Sequence, residues 1–482
     1  MSDHKSFGAE DGAADDLRIS SIAPCADSPI SSFVHLIPRA LRERIFQKVE
    51  AIMTVQTTSD RPRKLAGYDF YHQILGSPKL IVAPMVDQSE LAWRILSRRY
   101  GAQLCYTPMI NAKMFSPPSA HAYRAQAFNT SFLEEGSSIH DRPLIVQFCA
   151  NDPAQLLTSA LAVQDHCDAV DINLGCPQDI ARKGHYGSFL MDEWELIYRL
   201  INTLHENLAV PVTAKFRIFP SVEKTVAYAK MLESAGAQIL TCHGRLRTQR
   251  GQNTGLADWA HIKAVKEAVG VPVFANGNVL FYEDVEKCME ETGVDGVMSA
   301  EGQLYNPALF APASCGEGEP SSSMLRGAHP PHADLALEYL DIVKSLRTPT
   351  ATSAVKGHLF KIMRPALSRE TDLRERLGRI RGPNVVEEYV EVAKEMKERM
   401  QRDTAEAMKG WTTIDDLITI EPTTGLRVLP HWLSQPYFRP LKSPTTEALK
   451  RASSPIEISY EGVKRAKLSE EGFAAGEMDL PP

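Results

Sequence analysis

Several features that define other protein classes are missing from this chain of 482 residues. No apolar stretch approaches the roughly 18 residues needed to cross a bilayer, so we predict no membrane span. The first thirty residues contain several acidic side chains and lack the basic start and apolar segment of a secretory signal, which argues against secretion. No GxGxxG motif lies between a strand and a helix, so a dinucleotide-binding Rossmann domain is disfavoured.

Cysteine is sparse, and its spacing fits neither a disulfide framework nor a zinc site. The eight cysteines form no CxxC pair, and no histidines cluster at zinc-ligand spacing. We therefore predict reduced thiols, no metal and a cytoplasmic location. The short basic group Lys464-Arg-Ala-Lys467 is a candidate signal for additional nuclear entry, or simply solvated surface.

Positive charge is concentrated in one segment of a chain whose net charge is −7. The net value argues against nucleic-acid affinity over the whole surface, but a total can conceal a basic face. Between positions 344 and 381, only Glu370, Asp372 and Glu375 oppose the basic residues Lys344, Arg347, Lys356, Lys361, Arg364, Arg369, Arg374, Arg376, Arg379 and Arg381. The segment is either a solvated helix surface or a nucleic-acid contact.

Eight short apolar runs, rich in β-branched residues, alternate with helical stretches from Lys79 onward. The runs are Lys79–Met85, Gln103–Tyr106, Leu144–Phe148, Ala169–Ile172, Val212–Phe216, Ile239–Cys242, Val271–Ala275 and Val294–Met298. Helices are expected at Glu90–Tyr100 and Val222–Ala235, each followed by a glycine where a helix should end. This pattern predicts an α/β fold, a (β/α)8 or TIM barrel.

Composition divides the chain around this barrel. We predict a partly disordered N-terminal extension at 1–75, the barrel at 76–315 and a Pro- and Ser-containing linker at 316–332. Residues 333–405 are rich in Leu, Glu, Lys and Arg at helical periodicity, which predicts a helical domain. Residues 406–482 are expected to form a largely irregular tail.

Mostly polar residues lie at or after the ends of the predicted strands, at the end of the barrel where enzymes of this fold collect their active groups. In chain order they are Pro84, Met85, Val86, Gln147, Asn173, Cys176, Lys215, Arg217, His243, Asn276, Gly277, Asn278, Ala300 and Glu301. The loops after the seventh and eighth strands commonly bind a phosphate through backbone N–H groups. We therefore predict a phosphate site there.

A phosphate at that position, with Lys215 and Gln147 inside the barrel mouth, suits flavin mononucleotide (FMN). Lys215 could place positive charge near the pyrimidine part of the flavin, and Gln147 can donate and accept hydrogen bonds at the ring edge. Alternatively, Lys215 is structural and pairs with Asp171. His243 is either a satisfied strand-end histidine or a contact to the flavin phosphate or the substrate.

The stretch Asp171-Ile-Asn-Leu-Gly-Cys-Pro177 ends a strand-like run and leaves a cysteine on the next turn. Gly175 and Pro177 favour a bent, stiff backbone that lets Asn173 and Cys176 face one pocket. Cys176 is either a reactive thiol or a buried structural cysteine, because reactivity depends on exposure and pKa.

With these residues assembled, the chain resembles the flavin-dependent tRNA dihydrouridine synthases, and specifically the eukaryotic branch that acts at positions 16 and 17 of the D loop. The matching motifs are Ala83-Pro-Met-Val-Asp-Gln-Ser89, Asp171-Ile-Asn-Leu-Gly-Cys-Pro-Gln178, Lys183-Gly-His-Tyr-Gly187, His243-Gly-Arg245 and Val297-Met-Ser-Ala-Glu-Gly302. Weaker similarity at Thr352–Lys361 looks like part of the family's C-terminal helical domain.

The resemblance implies an FMN enzyme that NADPH or NADH reduces. Hydride would then reach uridine C6 while Cys176 protonates C5. Residues matching flavin-contacting positions are Pro84, Met85, Val86, Gln147, Lys215, His243, Asn276, Gly277, Asn278, Ala300 and Glu301. Many relatives have Arg where Glu301 stands, which leaves backbone N–H groups as the expected phosphate ligands.

On the substrate side, the resemblance implies that Asn173 orients the uracil, with Lys183 and Arg217 as further candidates. The partner would be tRNA, whose target base must be extruded into the barrel mouth. Lys356, Lys361 and Arg364 of the basic segment then become candidate tRNA contacts. We expect a monomer.

Two other functions remain open from the sequence. One is an FMN barrel acting on a free pyrimidine, as in dihydroorotate dehydrogenases, which would need no basic helical domain. The other is an RNA-binding protein whose barrel has lost its chemistry.

Overall fold

Parallel strands close into a barrel in the computed structural model, which describes residues 64–251, 254–313, 324–410, 413–422 and 424–438. The strands are β1 Leu80–Val82, β2 Leu104–Tyr106, β3 Ile110–Asn111, β4 Leu144–Cys149, β5 Ala169–Leu174, β6 Val212–Ile218, β7 Ala237–Leu246, β8 Val273–Asn276 and β9 Gly296–Ser299. They pair in the order β2-β1-β9-β8-β7-β6-β5-β4, and β2 also pairs with β4, which closes the cylinder. The predicted TIM barrel is confirmed, and the two-residue β3, which was not predicted, pairs with the end of β4.

Helices surround and close this barrel, and most of them connect successive strands on its outside. They are α1 Gly67–Gln73, α2 Leu91–Arg99, α3 Ala112–Phe115, α4 His121–Ala127, α5 Pro153–Leu161, α6 Asp179–Gly184, α7 Trp194–Asn207, α8 Val222–Ser234, α9 Trp259–Ala268, α10 Tyr282–Thr292 and α11 Glu301–Tyr305, with 3-10 turns at Gln164–His166 and Gly187–Leu190. Ser221 begins α8 by accepting a hydrogen bond from the backbone N–H of Lys224. Gly236 follows α8 with a φ of +113°, a conformation that favours glycine.

The barrel interior is packed at its amino-terminal end. Phe70 and Tyr71 of α1 are buried against inward-facing strand residues, including Ile81, Tyr106 and Phe274. The Tyr71 hydroxyl donates to the backbone carbonyl of Asp295, just before β9, at 2.9 Å. This end of the barrel is therefore closed by α1, and polar groups collect at the opposite end.

A helical region follows the barrel and shares its apolar core. It consists of α12 His332–Ser345, α13 Thr352–Ile362, α14 Arg364–Leu367, α15 Thr371–Arg379 and α16 Val385–Ala407, followed by a 3-10 turn at Met408–Gly410. The Glu90 carboxylate accepts hydrogen bonds from the Tyr339 hydroxyl (2.7 Å) and from Nε2 of His358 (3.0 Å). Trp93 of α2 stacks on His358 with ring centroids 3.9 Å apart. Polar and aromatic contacts thus fix the helical region on α2.

Part of the expected irregular tail folds back onto the protein. A 3-10 turn at Asp415–Leu417 precedes the antiparallel pair β10 Thr419–Ile420 and β11 Arg427–Val428. The following residues are buried, and the Ser434 carbonyl contacts Nδ1 of His329 at 2.7 Å. The Ser434 hydroxyl donates to Oδ1 of Asn306 at 3.0 Å. We call residues 424–438 the return segment.

Some predicted features lie outside the described residues. These are the N-terminal extension before Lys64, the linker at 316–323 and the tail after Phe438, including Lys464–Lys467. Within the described part of the chain, no helix is long and apolar enough to cross a membrane. Within the same residues, no group of three or more acidic, histidine or cysteine side chains is placed to hold a metal ion.

Candidate active site

A chain of side-chain hydrogen bonds runs across the inside of the barrel mouth from β6 to the loop after β5. The Asp171 carboxylate accepts from the Thr213 hydroxyl (2.6 Å) and from Nε2 of Gln147 (2.8 Å). Oε1 of Gln147 accepts from Nδ2 of Asn173 at 2.8 Å. Oδ1 of Asn173 then accepts the backbone N–H groups of Gly175 (3.1 Å) and Cys176 (2.9 Å). Asn173 therefore fixes the turn that carries Cys176.

Cys176 is the half-buried cysteine among six free cysteines of the described residues, and the other five are buried. Its carbonyl accepts hydrogen bonds from the backbone N–H and the hydroxyl of Ser188, both at 3.0 Å. Burial raises the pKa of the thiol, although the backbone N–H of Gln178 and the cations Arg217 and Lys215 oppose that rise. At neutral pH the group is therefore a protonated, half-buried thiol on the turn after β5.

Lys215 lies beside this turn on β6, paired in register with Asn173 of β5. Its ammonium group donates to Oδ1 of Asn276 at 2.9 Å. Burial and the charge of Arg217 lower the pKa of Lys215 to about 8, while Asp171 opposes the shift. The direct hydrogen-bond partner of Lys215 is thus Asn276. The alternative prediction from the sequence is a structural pair of Lys215 with Asp171.

Arg217 joins the cysteine turn to the end of β7. Its guanidinium donates to the backbone carbonyls of Gly175 (2.8 Å), Leu246 (2.8 Å) and Gln249 (3.1 Å). Burial, and after it the charge of Arg245, lower the pKa of Arg217 to about 10. These bonds hold two loops together, and a direct contact of Arg217 with substrate stays a prediction.

His243 is held as a neutral ring. Its Nε2 lies 3.1 Å from a guanidinium nitrogen of Arg245, which can only donate, so Nε2 accepts and Nδ1 carries the proton. Burial, reinforced by the charges of Lys215, Arg217 and Arg245, lowers the pKa of His243 well below its ordinary value. The histidine therefore offers an N–H donor and no charge.

A cavity of about 1,180 Å³ lies at the carboxyl ends of β7, β8 and β9. Six residues of the predicted flavin site line it: His243, Asn276, Gly277, Asn278, Ala300 and Glu301. A side chain at Gly277, whose φ is +117°, would meet Cβ of Ala257 at 2.6 Å. One at Gly302 would meet the carbonyl of Val279 at 2.3 Å. Glycine thus allows the loops after β8 and β9 to approach their neighbours closely.

Asn278 shapes the same loop. Its side-chain amide exchanges two hydrogen bonds of 2.8 Å with the backbone N–H and carbonyl of Ala257, and its φ is +63°. Asparagine tolerates this conformation better than most residues. Asn278 therefore holds the loop with its side chain, and its contact with a flavin stays a prediction.

Comparison with known proteins identifies the family. Residues 81–401 match the model for Dihydrouridine synthase (Dus). The chain belongs to the Dus family. It is 50% identical over 391 residues to a tRNA-dihydrouridine(16/17) synthase [NAD(P)(+)] of Saccharomyces cerevisiae, covering 80% of this chain and 88% of that protein. A tRNA-dihydrouridine(16/17) synthase [NAD(P)(+)]-like protein of Mus musculus is 46% identical over 413 residues, covering 85% of this chain and 79% of that protein.

More distant relatives match less of the chain. A mouse tRNA-dihydrouridine(20a/20b) synthase [NAD(P)+]-like protein is 35% identical over 261 residues, covering 54% of this chain and 76% of that protein. A solved structure of morphinone reductase is 11% identical, covers 48% of this chain and 84% of that one, and has a TM-score of 0.35. This low structural similarity supports no inference about function.

Five predicted flavin residues of this Dus-family chain do not line that cavity: Gln147 and Lys215 lie inside the barrel mouth, and three residues follow β1. Pro84 and Met85 are half-buried and Val86 is exposed. The Met85 backbone N–H donates to the Ser89 hydroxyl at 3.0 Å, which fixes the turn. None of the three lines the cavity at β7–β9, so the predicted flavin residues occupy both sides of the barrel mouth.

The structure separates the basic residues that sequence reasoning had grouped together. The Lys356 ammonium donates to the carbonyls of Gly378 (2.9 Å) and Ile380 (3.2 Å), so it caps the end of α15. Lys361 donates to Oε1 of Gln88 at 2.7 Å, which ties α13 to the loop after β1. Their roles in tRNA binding stay predictions, and Lys183 is exposed on α6.

Arg364 contacts Tyr437, an aromatic residue that lines the cavity. Its guanidinium lies 3.9 Å from the ring centroid of Tyr437, a distance typical of a cation–π contact. Tyr437 and Phe438 line the cavity and belong to the return segment. Sequence reasoning missed both aromatic residues, because no motif marks them and they lie far along the chain from the barrel.

The rest of the basic segment is partly neutralised by α16. Arg376 pairs with Glu395 at 2.8 Å, and Glu370 and Asp372 both pair with Arg399. Lys344, Arg369 and Arg374 are exposed, with no ion-pair partner among the residues that the structure describes. The unpaired positive charge is therefore smaller than the composition of the segment suggests.

Proposed function

We propose that this chain is an FMN-dependent tRNA-dihydrouridine(16/17) synthase that uses NADPH or NADH to reduce the C5–C6 double bond of uridine in the D loop. Membership of the Dus family and the printed activities of relatives that are 46–50% identical support this reaction class. The observation that carries the mechanism is the Cys176 thiol, held by Asn173 at the barrel mouth with a raised pKa.

The residues at the barrel mouth fit FMN. The cavity of about 1,180 Å³ exceeds the roughly 300–1,000 Å³ of typical ligand pockets, and Gly277 and Gly302 leave no room for a side chain where its loops approach each other. The backbone at Gly277 and Ala300 would hold the phosphate, while Lys215 and Gln147 would hold the ring. Bound FMN would supply hydride taken from NADPH or NADH.

Cys176 would supply the proton for the other carbon. When hydride adds at C6 of uracil, C5 gains carbanion character, and Sγ of Cys176 donates its proton there as a general acid. The raised pKa keeps the thiol protonated until that moment. Lys215 and Arg217 would stabilise the thiolate that remains, because both lower the pKa of Cys176. Solvent then returns a proton to the sulfur.

A folded tRNA can reach this thiol only if the target base leaves its stack and enters the barrel mouth. Contacts to phosphates elsewhere must then position the RNA. Exposed cations of the helical region, including Arg364, Arg369 and Arg374, are suitable for such contacts.

We further propose that the chain acts as a monomer in the cytoplasm. The mass of the protein in solution and its distribution between cell fractions would test this.

The test is dihydrouridine formation by the full-length protein with unmodified tRNA transcripts and NADPH. Cys176→Ala should lower kcat by about 10²–10⁴-fold, the usual contribution of a general acid, and leave tRNA binding unchanged. Cys288→Ala removes a buried thiol on α10 and is the matched control that should retain activity.

The visible spectrum of the same protein tests the cofactor. Flavin bands that bleach on addition of NADPH are expected. A colourless protein that takes up no FMN, or a Cys176→Ala variant as fast as the unaltered protein, would overturn the proposal. Reduction of free uridine without tRNA would instead favour the free-pyrimidine enzyme.

A further inference from the structure

Asp171 is a buried carboxylate that the proposed reaction does not use. Its side chain is fully buried inside the barrel, on the same face of β5 as Asn173. Burial raises its pKa to about 6, with the Thr213 hydroxyl, the Gln147 amide and Lys215 opposing the rise. The carboxylate is therefore ionised at neutral pH and can only accept hydrogen bonds.

An acceptor at this position determines which way the neighbouring amide faces. Gln147 must turn Nε2 towards Asp171, and the observed distance is 2.8 Å. Its Oε1 then faces Asn173 and accepts from Nδ2 at 2.8 Å. In the reverse orientation, Oε1 of Gln147 would lie against a carboxylate oxygen, and two acceptors in contact repel each other.

The same constraint passes on to the cysteine turn. Because Nδ2 of Asn173 is directed at Gln147, Oδ1 of Asn173 faces the cysteine turn. There it accepts hydrogen bonds from the backbone N–H groups of Gly175 and Cys176. Both of those groups can only donate. The chain of amides thus begins at an acceptor, Asp171, and ends at two donors, so every member has one orientation that satisfies all contacts.

We propose that Asp171 is a positioning residue that sets the orientation of the Gln147 and Asn173 amides and thereby holds the turn of Cys176. A consequence follows for the base that the proposed function places here. Oδ1 of Asn173 accepts two hydrogen bonds from the turn, and one N–H of Nδ2 donates to Gln147. One N–H of Asn173 is therefore left to donate to a ligand. It would bind a carbonyl oxygen of the base and reject a donor in that place.

Hydrogen exchange of the full-length protein without substrate tests the positioning role directly. In Asp171→Asn, which keeps the shape of the side chain, the amide can donate or accept, so the orientation of Gln147 is no longer imposed. Exchange at the backbone amides of Gly175 and Cys176 should become roughly fivefold faster, the effect of weakening one hydrogen bond. Asp171→Leu, which removes both acceptors, should accelerate it further if that variant folds.

The matched control is Thr213→Val. It removes the other hydrogen bond to the same carboxylate at nearly constant volume and leaves the Gln147 contact in place. It should not accelerate exchange at Gly175 or Cys176. Unchanged exchange in Asp171→Asn, or equal acceleration in Thr213→Val, would overturn the proposal.

Turnover gives a second readout. Because Asp171 acts through Gln147 and Asn173, adding Asp171→Asn to a variant with both Gln147→Ala and Asn173→Ala should slow dihydrouridine formation no further than that variant alone, whereas independent effects would multiply. Multiplying effects would count against the proposal. If the unaltered protein forms no dihydrouridine, the proposed function fails, and the exchange experiment still decides the role of Asp171.

Discussion

Replacing Gly187 with alanine should disturb Cys176 from the opposite side of its turn. Gly187 has a φ of +66°, and a Cβ there would lie 2.8 Å from the carbonyl oxygen of Cys176 and 3.0 Å from its Cβ. Ordinary contact begins near 3.4 Å, so the turn must move by about 0.6 Å. The left-handed backbone adds a strain of about 1–2 kcal/mol for a residue with a side chain.

Gly293 separates these two effects. Its φ of +68° is almost the same, but a Cβ there would meet no atom within 4 Å. Gly187→Ala and Gly293→Ala should therefore lose a similar 1–2 kcal/mol of unfolding free energy from backbone strain, measured by urea denaturation. Only Gly187→Ala should also lose activity, by about 10–100-fold in kcat, because displacements of this size misplace a reacting group. A Gly187→Ala variant that keeps its kcat, while its unfolding free energy falls as in Gly293→Ala, would show that the Cβ does not displace the Cys176 turn.

Two further predictions concern the helical region and the return segment. Burial lowers the pKa of His329 to about 4 and that of His332 to about 3, so both rings are neutral in the folded protein near neutral pH. As the pH falls below 6.5, the ordinary pKa of histidine, the unfolded chain binds protons that the folded protein does not. The unfolding free energy should then fall by up to about 1.4 kcal/mol per pH unit for each ring. The fluorescence of Trp432 in the return segment, isolated by comparison with Trp432→Phe, should shift to the red between pH 6.5 and 5, and a constant spectrum would contradict this. Glu90→Gln should lower the unfolding free energy, measured by urea denaturation, by about 1–3 kcal/mol, because it weakens buried hydrogen bonds to the helical region. The control Glu267→Gln changes an exposed carboxylate and should lower the unfolding free energy by less than about 0.5 kcal/mol. Equal losses would show that the Glu90 contacts do not hold the two parts together.

The strands were predictable because a parallel barrel buries both faces of each strand. The run Leu144–Phe148 is apolar except for Gln147, the run Val212–Phe216 is apolar except for Thr213 and Lys215, and both lie within observed strands. The ends were less accurate. β7 extends through the polar residues His243, Gly244 and Arg245 because its backbone stays paired there, with His243 opposite Arg217 of β6. Polarity alone made that stretch look like a loop.

The positions of the candidate site residues in the barrel were predictable, but most of their hydrogen-bond partners were not. Periodicity and motif order place Lys215 near the end of its own strand and Cys176 on the turn that follows its strand, both at the barrel mouth. The contact between Lys215 and Asn276 joins residues 61 positions apart and depends on the register of three strands. The packing of Tyr437 on Arg364 depends on the path of the return segment, which has no local signal.

The electrostatics of the barrel mouth indicate what kind of ligand it favours. Lys215, Arg217 and Arg245 surround a neutral His243, and burial, followed by repulsion from a neighbouring arginine, lowers the pKa values of Lys215 and Arg217. Positive charges held together in this way destabilise one another. A bound anion would attract them and raise their pKa values back towards the ordinary ones. The carboxylate of Asp171 only partly offsets these charges, because burial and Arg217 lower the pKa of Lys215 by more than Asp171 raises it. A phosphate or an anionic reduced ring would therefore be stabilised here by groups that the fold has placed in advance, at the cost of the desolvation that lowers their pKa values.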